Sequence, residues 1–263
     1  MRWLKVLIGC LIFLAVERFC YFQTGTFSLS KMLYENSPPS PTELSSPIEL
    51  TQPLRWIGAG KQFYAFETAD GKYIVKFLKW SRRRPLPWLE NVPFLTSYLQ
   101  ARKKRAPFIL ESCQLALKKL PHESCLVIPQ PQNTFVLIDK LGIAHIIKAS
   151  STHFYVQHKA TPFMDAYQSG SKAHLRSFIK TVAAQCKKNI RNLDPVVTRN
   201  FGIIGPEVML LDVGSFKYSP EINSRAKEQF EIVLELLPLR SFLQKHYPED
   251  VQLFDILLTE ELD

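Results

Sequence analysis

The chain has 263 residues, enough for one domain of about 200 residues and an appendage, and its hydrophobic content of 46% excludes global disorder. The net charge of +9 comes largely from two runs, Arg82–Arg84 and Arg102–Arg105. Neither run is interleaved with stacking aromatic residues, so a nucleic-acid partner is not expected. We expect a solvated or membrane-facing basic surface, with a phosphate-rich partner as the alternative.

Residues 1–22 are predicted to be an N-terminal membrane anchor or signal segment. Arg2 and Lys5 precede the uninterrupted apolar run Val6–Val16, which is short for a span but fits the hydrophobic region of a signal sequence. No small-x-small cleavage site follows it. If Glu17 and Arg18 lie near a membrane boundary, residues 3–22 can form one membrane helix. We therefore expect a single-pass membrane protein, with export after signal cleavage or an ordinary buried helix as alternatives.

Residues 23–55 are predicted to be a linker. Ser37–Thr42 is Ser/Pro-rich, and Pro47 and Pro53 follow, so regular backbone hydrogen bonding is disfavoured. The folded domain is expected to begin near Leu54 or Trp56.

From Trp56 onward the pattern predicts strands first and helices last. The turn Ala69–Lys72 contains Asp-Gly, a strong hairpin signal between two strands. The predicted strands are 56–57, 62–68, 73–78, 126–129, 135–139, 144–148 and 154–158, with a helix over 106–120. A second helix over 175–190 has one apolar face, a hairpin spans 201–211, and helices over 224–237 and 239–258 close the chain.

Four motifs in order carry the functional signal. A glycine turn contains Gly58 and Gly60, Lys76 lies in a strand, Asp194 precedes Asn200 by six residues, and Asp212 begins an Asp-Val-Gly segment. Such parts, in this order, can together hold a nucleoside triphosphate and its metal ion.

These motifs, over about residues 55–240, resemble the protein kinase-like superfamily. The resemblance implies an α+β, two-lobed fold, with an antiparallel sheet and one helix in an N-lobe of residues 56–158. It also implies an abbreviated, mainly helical C-lobe of residues 159–263, with ATP and Mg²⁺ bound between the lobes. By the same resemblance, Gly58, Gly60 and Lys76 would bind the phosphates. Asn200 and Asp212 would bind the metal ion, and Asp194 would be the catalytic residue.

The physical chemistry of these residue types agrees with the roles. Glycines let backbone N–H groups approach phosphate oxygens. A strand lysine points to the face opposite its apolar neighbours, so it can face a cleft while they pack. Carboxylate and amide oxygens suit a hard cation.

The chain also departs from the family pattern. Phe63 replaces the third loop glycine, Asn192-Leu193 stands where His-Arg precedes the catalytic aspartate, and no activation segment follows Gly214. The glutamate expected to pair with the strand lysine is Glu111, with Glu90 as the runner-up. These departures favour a divergent, minimal relative over an ordinary protein kinase.

Other chemistries receive little support. The six histidines form no His-x-x-His or Glu-x-x-His pair, which argues against a zinc site, and Ser215 lacks a nucleophile elbow. Cys113, Cys125 and Cys186 are expected to be buried free thiols, although Cys113 with Cys125 is a candidate disulfide if the domain is exported.

Three hypotheses remain. The first is a membrane-tethered phosphotransferase that binds Mg-ATP and acts on an unknown hydroxyl of a protein or small molecule. The second is an inactive pseudokinase that serves as a binding or scaffold module. The third is a structural domain, in which Lys76 is a surface lysine and Asp212 a turn residue.

Overall fold

A computed structural model describes residues 2–33, 48–80 and 96–263, with only the backbone described for residues 2, 4, 5 and 96–106. Glu90 and the basic run Arg82–Arg84 therefore lie outside the described residues. The chain divides into two compact units, one of residues 1–86 and 128–157 and one of residues 87–127 and 158–263. A sheet dominates the first unit and helices dominate the second, so the α+β prediction is confirmed.

The first unit contains a mostly antiparallel sheet. Its strands are β1 Leu54–Ala59, β2 Phe63–Glu67, β3 Tyr73–Leu78, β5 Thr134–Ile138, β6 Ala144–Lys148 and β7 Phe154–His158, in the spatial order β7-β3-β2-β1-β5-β6. The pairs β1–β2, β2–β3 and β5–β6 are antiparallel, whereas β1 and β5 run parallel.

The predicted Asp-Gly turn connects β2 and β3. Gly71 has φ +69°, a conformation that glycine adopts without strain. The Asp70 carboxylate accepts hydrogen bonds from the Thr68 hydroxyl and the Lys72 amide. The local sequence therefore sets the β2–β3 register, which places Lys76 opposite Ala65.

One face of the sheet carries a cluster of aromatic residues that also holds part of the predicted linker. Phe27 contacts Trp56, Tyr64 and Phe66, with ring centroids 5.4–5.8 Å apart. The Tyr64 hydroxyl donates to the Thr26 carbonyl at 2.6 Å. The assignment of these residues to a linker is thus corrected, because the Phe27 ring and the Thr26 carbonyl contact side chains of the sheet. The segment 34–47 lies outside the described residues.

The second unit contains most of the helices. Its helices are α2 Thr96–Lys119, α3 Pro121–Ser124, α4 Phe163–Ala166, α5 Lys172–Lys187, α6 Val197–Asn200, α7 Arg225–His246 and α8 Val251–Leu262. Its strands are β4 Leu126–Val127, β8 Thr161–Pro162, β9 Ile190–Asn192, β10 Phe201–Ile204, β11 Glu207–Leu210 and β12 Phe216–Tyr218.

Helix α5 buries the face that its sequence pattern predicts. Leu175, Phe178, Ile179, Val182 and Cys186 are all buried. This face packs on the β10–β11 hairpin, where the rings of Phe178 and Phe201 stack 4.2 Å apart. The strand pair that leads into Asp212 therefore rests on a helix.

Two expectations about helices need correction. Helix α2 was expected to belong with the sheet, but it lies in the second compact unit. Within that unit the Ser112 hydroxyl of α2 donates to the Val213 carbonyl. A break was expected after Leu237, yet α7 continues through Pro238. The buried side chains of Leu236 and Leu239 flank this proline, and their burial offsets the hydrogen bond that proline cannot donate.

Helix α1, Arg2–Thr24, precedes the first unit's sheet. Its segment Val6–Thr24 is long and apolar enough to cross a membrane, and none of it is buried. This exposure contradicts the alternative of an ordinary buried helix. A signal sequence has the same length and composition.

Candidate functional site

In the first unit, Gly58 and Lys76 lie in one cross-strand row of the sheet. Gly58 pairs with Ala65, and Ala65 pairs with Lys76. Two strand spacings separate Gly58 from Lys76, about 10 Å. Because side chains alternate along a strand, Lys76 points away from the aromatic face that holds Phe77. The sheet thus presents a glycine backbone and an ammonium group on one face.

The Lys76 side chain is half-buried and held in place. Its Nζ donates to Oε1 of Gln157 at 2.8 Å, and Gln157 is buried. An amide oxygen positions the ammonium group without neutralising its charge. Glu111, the predicted carboxylate partner, is exposed on α2.

The glycine turn between β1 and β2 is anchored by a residue that sequence reasoning did not identify. Lys79 is buried, its Nζ donates to the Gly60 carbonyl at 2.6 Å, and the same Nζ lies 4.2 Å from the centre of the Tyr64 ring. The Gly60 amide donates to the Phe63 carbonyl at 2.9 Å. Phe63, in place of the third glycine, is itself buried and therefore closes the turn.

Gly58 has room for a side chain. A Cβ at Gly58 would meet nothing within 4 Å, and its φ is not positive. Neither packing nor backbone strain therefore requires glycine at this position, whereas close approach of a ligand to the backbone would.

In the second unit, Asn192 shapes the loop that carries Asp194. The Asn192 Oδ1 accepts hydrogen bonds from the Asp194 amide at 3.0 Å and from the Ser215 hydroxyl at 2.9 Å. A buried side chain thus holds the backbone of the loop at Asp194 and the Ser215 hydroxyl together. The Asp194 side chain is exposed and accepts no hydrogen bond within the described part of the chain.

The loop ends at Asn200, which joins it to the Asp212 segment. Asn200 is buried, its Nδ2 donates to the Asp194 carbonyl at 2.5 Å, and its carbonyl accepts from the Leu211 amide at 2.8 Å. Oδ1 is the acceptor atom of the Asn200 side chain.

Asp212 follows directly on Leu211 and forms a local turn. Its Oδ1 accepts from the Gly214 amide at 3.1 Å, and the side chain is half-buried. The hydrogen bond from the Leu211 amide to the Asn200 carbonyl places Asn200 beside the residue that precedes Asp212. The structure thus joins the two residues predicted to bind the metal.

Helix α2 clamps this segment through Ser112, which the sequence analysis did not single out. The Ser112 hydroxyl donates to the Val213 carbonyl at 2.5 Å and accepts from the Phe216 amide at 2.6 Å. Ser112 is buried, so both bonds are shielded from water. The backbone on either side of Gly214 is fixed by one hydroxyl group.

A buried carboxylate, that of Glu235, supports the loop through hydrogen bonds. Glu235 accepts hydrogen bonds from the Asn192 amide at 2.7 Å and from Gln185 Nε2 at 2.6 Å. Burial raises the pKa of Glu235 to about 7, partly offset by these two bonds. The neighbouring Glu231 is paired with Arg191. No local sequence pattern predicts this support, because its members come from α5, β9 and α7.

The donor set fits Mg²⁺ accompanied by phosphates rather than a metal held by protein alone. Within the described residues no group of three or more His, Cys, Asp or Glu side chains could hold a metal ion. One carboxylate and one amide oxygen are few ligands, but Mg²⁺ commonly takes its other ligands from water and substrate phosphates.

The described cysteines are free thiols. Cys113 and Cys186 are buried, as predicted, whereas Cys125 is only half-buried. The alternative disulfide between Cys113 and Cys125 is not formed.

The chain matches no protein-family model and no curated protein sequence. Among solved structures it is similar to WbdD: a high-resolution crystal structure of WbdD aligns with a TM-score of 0.40 and 18% identity over 79% of this chain and 45% of that chain. A complex of WbdD with the kinase inhibitor LY294002 aligns with a TM-score of 0.38 and 18% identity, over 79% of this chain and 45% of that chain.

A structure described as the bifunctional kinase-methyltransferase WbdD aligns with a TM-score of 0.37 and 20% identity, over 76% of this chain and 42% of that chain. This chain thus spans less than half the length of those chains. TM-scores below 0.5 do not by themselves establish a common fold, so the roles proposed below rest on the residues of this chain.

Proposed function

We propose that this chain is a divergent, membrane-tethered, kinase-like protein that binds Mg-ATP and transfers phosphate to a hydroxyl acceptor. One observation carries the proposal: Asn200 and Asp212 adjoin through the Asn200–Leu211 backbone bond, while Asn200 also holds the Asp194 backbone. A surface turn would not need a buried asparagine that connects both segments.

Each residue has a stated role in this proposal. The Gly58 backbone and the Lys76 ammonium bind phosphate oxygens, and Gln157 orients that ammonium. Gly60 shapes the turn, because its amide and its carbonyl are engaged by Phe63 and Lys79. Asn200 Oδ1 and the Asp212 carboxylate bind Mg²⁺, which when bound supplies positive charge to the phosphates. The Asp194 carboxylate accepts a hydrogen bond from the acceptor hydroxyl and orients it.

The alternative is a pseudokinase that binds nucleotide without chemistry. The observation that favours it is the exposed Asp194 side chain beside Asn192-Leu193, where the family has His-Arg. An exposed carboxylate in water is less strongly preorganised than one fixed by neighbours. Phosphotransfer, rather than nucleotide binding, separates these two functions.

The experiment measures ATP affinity of the full-length protein in detergent, with and without Mg²⁺. Lys76→Met should weaken ATP binding at least tenfold without unfolding the protein, because an ammonium–phosphate contact is worth about 1.5–3 kcal/mol. Asp212→Asn should abolish the effect of Mg²⁺ on affinity, because an amide is a poorer ligand than a carboxylate.

Matched controls are Lys72→Met, an exposed lysine in the turn before β3, and Asp165→Asn, an exposed aspartate in α4. Both should leave affinity unchanged. No ATP binding by the parent protein, or equal affinities in all variants, would leave only the structural hypothesis.

Asp194→Asn separates enzyme from pseudokinase. It should leave Mg-ATP affinity intact and remove phosphotransfer, or ATP hydrolysis in the absence of acceptor. A parent protein that binds Mg-ATP but shows neither activity supports the pseudokinase.

We also propose that α1 stays attached as a membrane anchor. Burial of its apolar side chains in lipid is favourable by about 0.8 kcal/mol per CH₂ group. The full-length protein should remain in the membrane fraction after alkaline carbonate extraction, and mass spectrometry should find the N-terminal residues intact. Loss of residues 1–22 from the mature protein would instead indicate a cleaved signal sequence.

A further inference from the structure

The turn between β5 and β6, residues 140–143, lies against the C-terminal end of α1. The Lys140 Nζ donates to the Phe22 carbonyl at 2.6 Å. A Cβ built on Gly25 would lie 3.3 Å from the Lys140 Cδ and 2.9 Å from the Trp56 ring. The helix therefore passes into the first unit without a spacer and touches this turn as it ends.

The turn is locally rigid. The Asp139 Oδ1 accepts hydrogen bonds from the Leu141 amide at 2.8 Å and the Ile143 amide at 3.0 Å, and its Oδ2 lies 2.8 Å from His145 Nε2. Gly142 has φ +82°, which suits glycine. These bonds fix the positions of the side chains at the tip.

The tip presents apolar side chains to the outside. Leu141 and Ile143 are each 53% exposed, and both follow the cationic Lys140. Two large apolar residues with a lysine, held rigidly at a turn, have the composition of a segment that lies in a lipid interface.

The aromatic residues of α1 indicate where that interface falls. Tyr21 and Phe22 lie at its C-terminal end and Trp3 at its N-terminal end, and all three are exposed. The 18 helical steps from Trp3 to Tyr21 correspond to about 27 Å, close to the hydrocarbon thickness of a bilayer. Glu17 and Arg18 lie within four residues of Tyr21, near enough to this end for their side chains to extend to the interface. Aromatic residues at both ends are typical of membrane-water interfaces. With α1 anchored in this way, Phe22, the residue to which Lys140 bonds, would lie at the depth of the interface.

We propose that the β5–β6 turn is a second membrane contact, in which Leu141 and Ile143 insert into the interfacial region of the leaflet where α1 ends. This inference rests on the proposed anchoring of α1. Lys140 donates to the Phe22 carbonyl near the end of the helix, which places its ammonium group at the depth of the lipid phosphates. The sheet is thereby attached to the bilayer at two points, which fixes its orientation on the membrane surface.

The test reads the depth of single labelled positions in the full-length protein, reconstituted in vesicles of phosphatidylcholine and phosphatidylglycerol. Cys10, Cys20 and Cys125 are replaced by alanine, and Leu141→Cys or Ile143→Cys carries an environment-sensitive fluorophore. Lipids with a nitroxide at the headgroup, or at a shallow or deep acyl position, act as quenchers.

Two reference positions make the result decisive. Leu14→Cys reports whether α1 is embedded. Thr134→Cys is a matched control, because Thr134 is exposed and pairs with Lys148 at the other end of the β5–β6 ladder, about 14 Å from the tip.

We expect the label at position 14 to be quenched by the deep acyl nitroxide. The shallow acyl nitroxide should quench labels at positions 141 and 143 several-fold more strongly than a label at position 134, which should be quenched little. Quenching at 141 and 143 no stronger than at 134, with position 14 quenched, would overturn the second contact and leave the anchor intact. Absence of quenching at position 14 would overturn both proposals.

Discussion

Ser112→Ala should destabilise the segment that carries Asp212 without changing any residue proposed to bind the nucleotide or the metal ion. The buried hydroxyl donates to the Val213 carbonyl and accepts from the Phe216 amide. Alanine provides neither bond, and a buried backbone group that loses its partner costs about 1–3 kcal/mol. With partial relaxation of two such groups, we expect a loss of about 2–4 kcal/mol in local stability.

Hydrogen exchange of the full-length protein, followed by mass spectrometry of peptides covering residues 210–218, measures this effect. A loss of 2 kcal/mol corresponds to roughly 30-fold faster opening of the segment. If the protein binds Mg-ATP as proposed, the same variant should also weaken the dependence of ATP affinity on Mg²⁺, because Ser112 holds the backbone that follows Asp212.

Ser124→Ala is the matched control. Ser124 is equally buried, and its hydroxyl donates to the carbonyl of Leu120 in its own helical turn, which also accepts from the Ser124 amide. This control should cost no more than about 1 kcal/mol and leave peptides 210–218 protected. Equal exchange in the two variants would refute the role assigned to Ser112.

Three further predictions concern the support of the site. The pKa of Glu235 in the folded protein is raised from 4.5 to about 7. The free energy of unfolding should therefore fall by on the order of 3 kcal/mol as pH rises from 4.5 to 7. Glu235→Gln should make the urea midpoint nearly independent of pH over this range. Gly58→Ala should keep the melting temperature but weaken ATP binding, whereas Gly202→Ala should lower the melting temperature, because its Cβ would lie 3.0 Å from the Thr161 carbonyl. Phe27→Ala should destabilise the first unit by about 2–3 kcal/mol in urea unfolding, because its ring contacts four others within 5.8 Å; an unchanged midpoint would show that residues 25–33 do not belong to the sheet.

The sequence by itself determined the features that depend on local pattern. The Asp-Gly turn fixes the β2–β3 register and therefore the face on which Lys76 lies. The apolar period of α5 predicts the buried face of that helix, and the residues 201–211 form the expected hairpin. The order of these elements was also readable, because alternation and helical period are properties of neighbouring residues.

Only the tertiary structure decided which distant residues support these motifs. Phe27 in the predicted linker, Ser112 in α2 and Glu235 in α7 act on the sheet or the loops from 29 to 104 residues away in sequence. An isolated phenylalanine, serine or glutamate carries no local signal for such a role. Their contributions come from burial and from hydrogen bonds to backbone groups, and both arise only when the chain has folded.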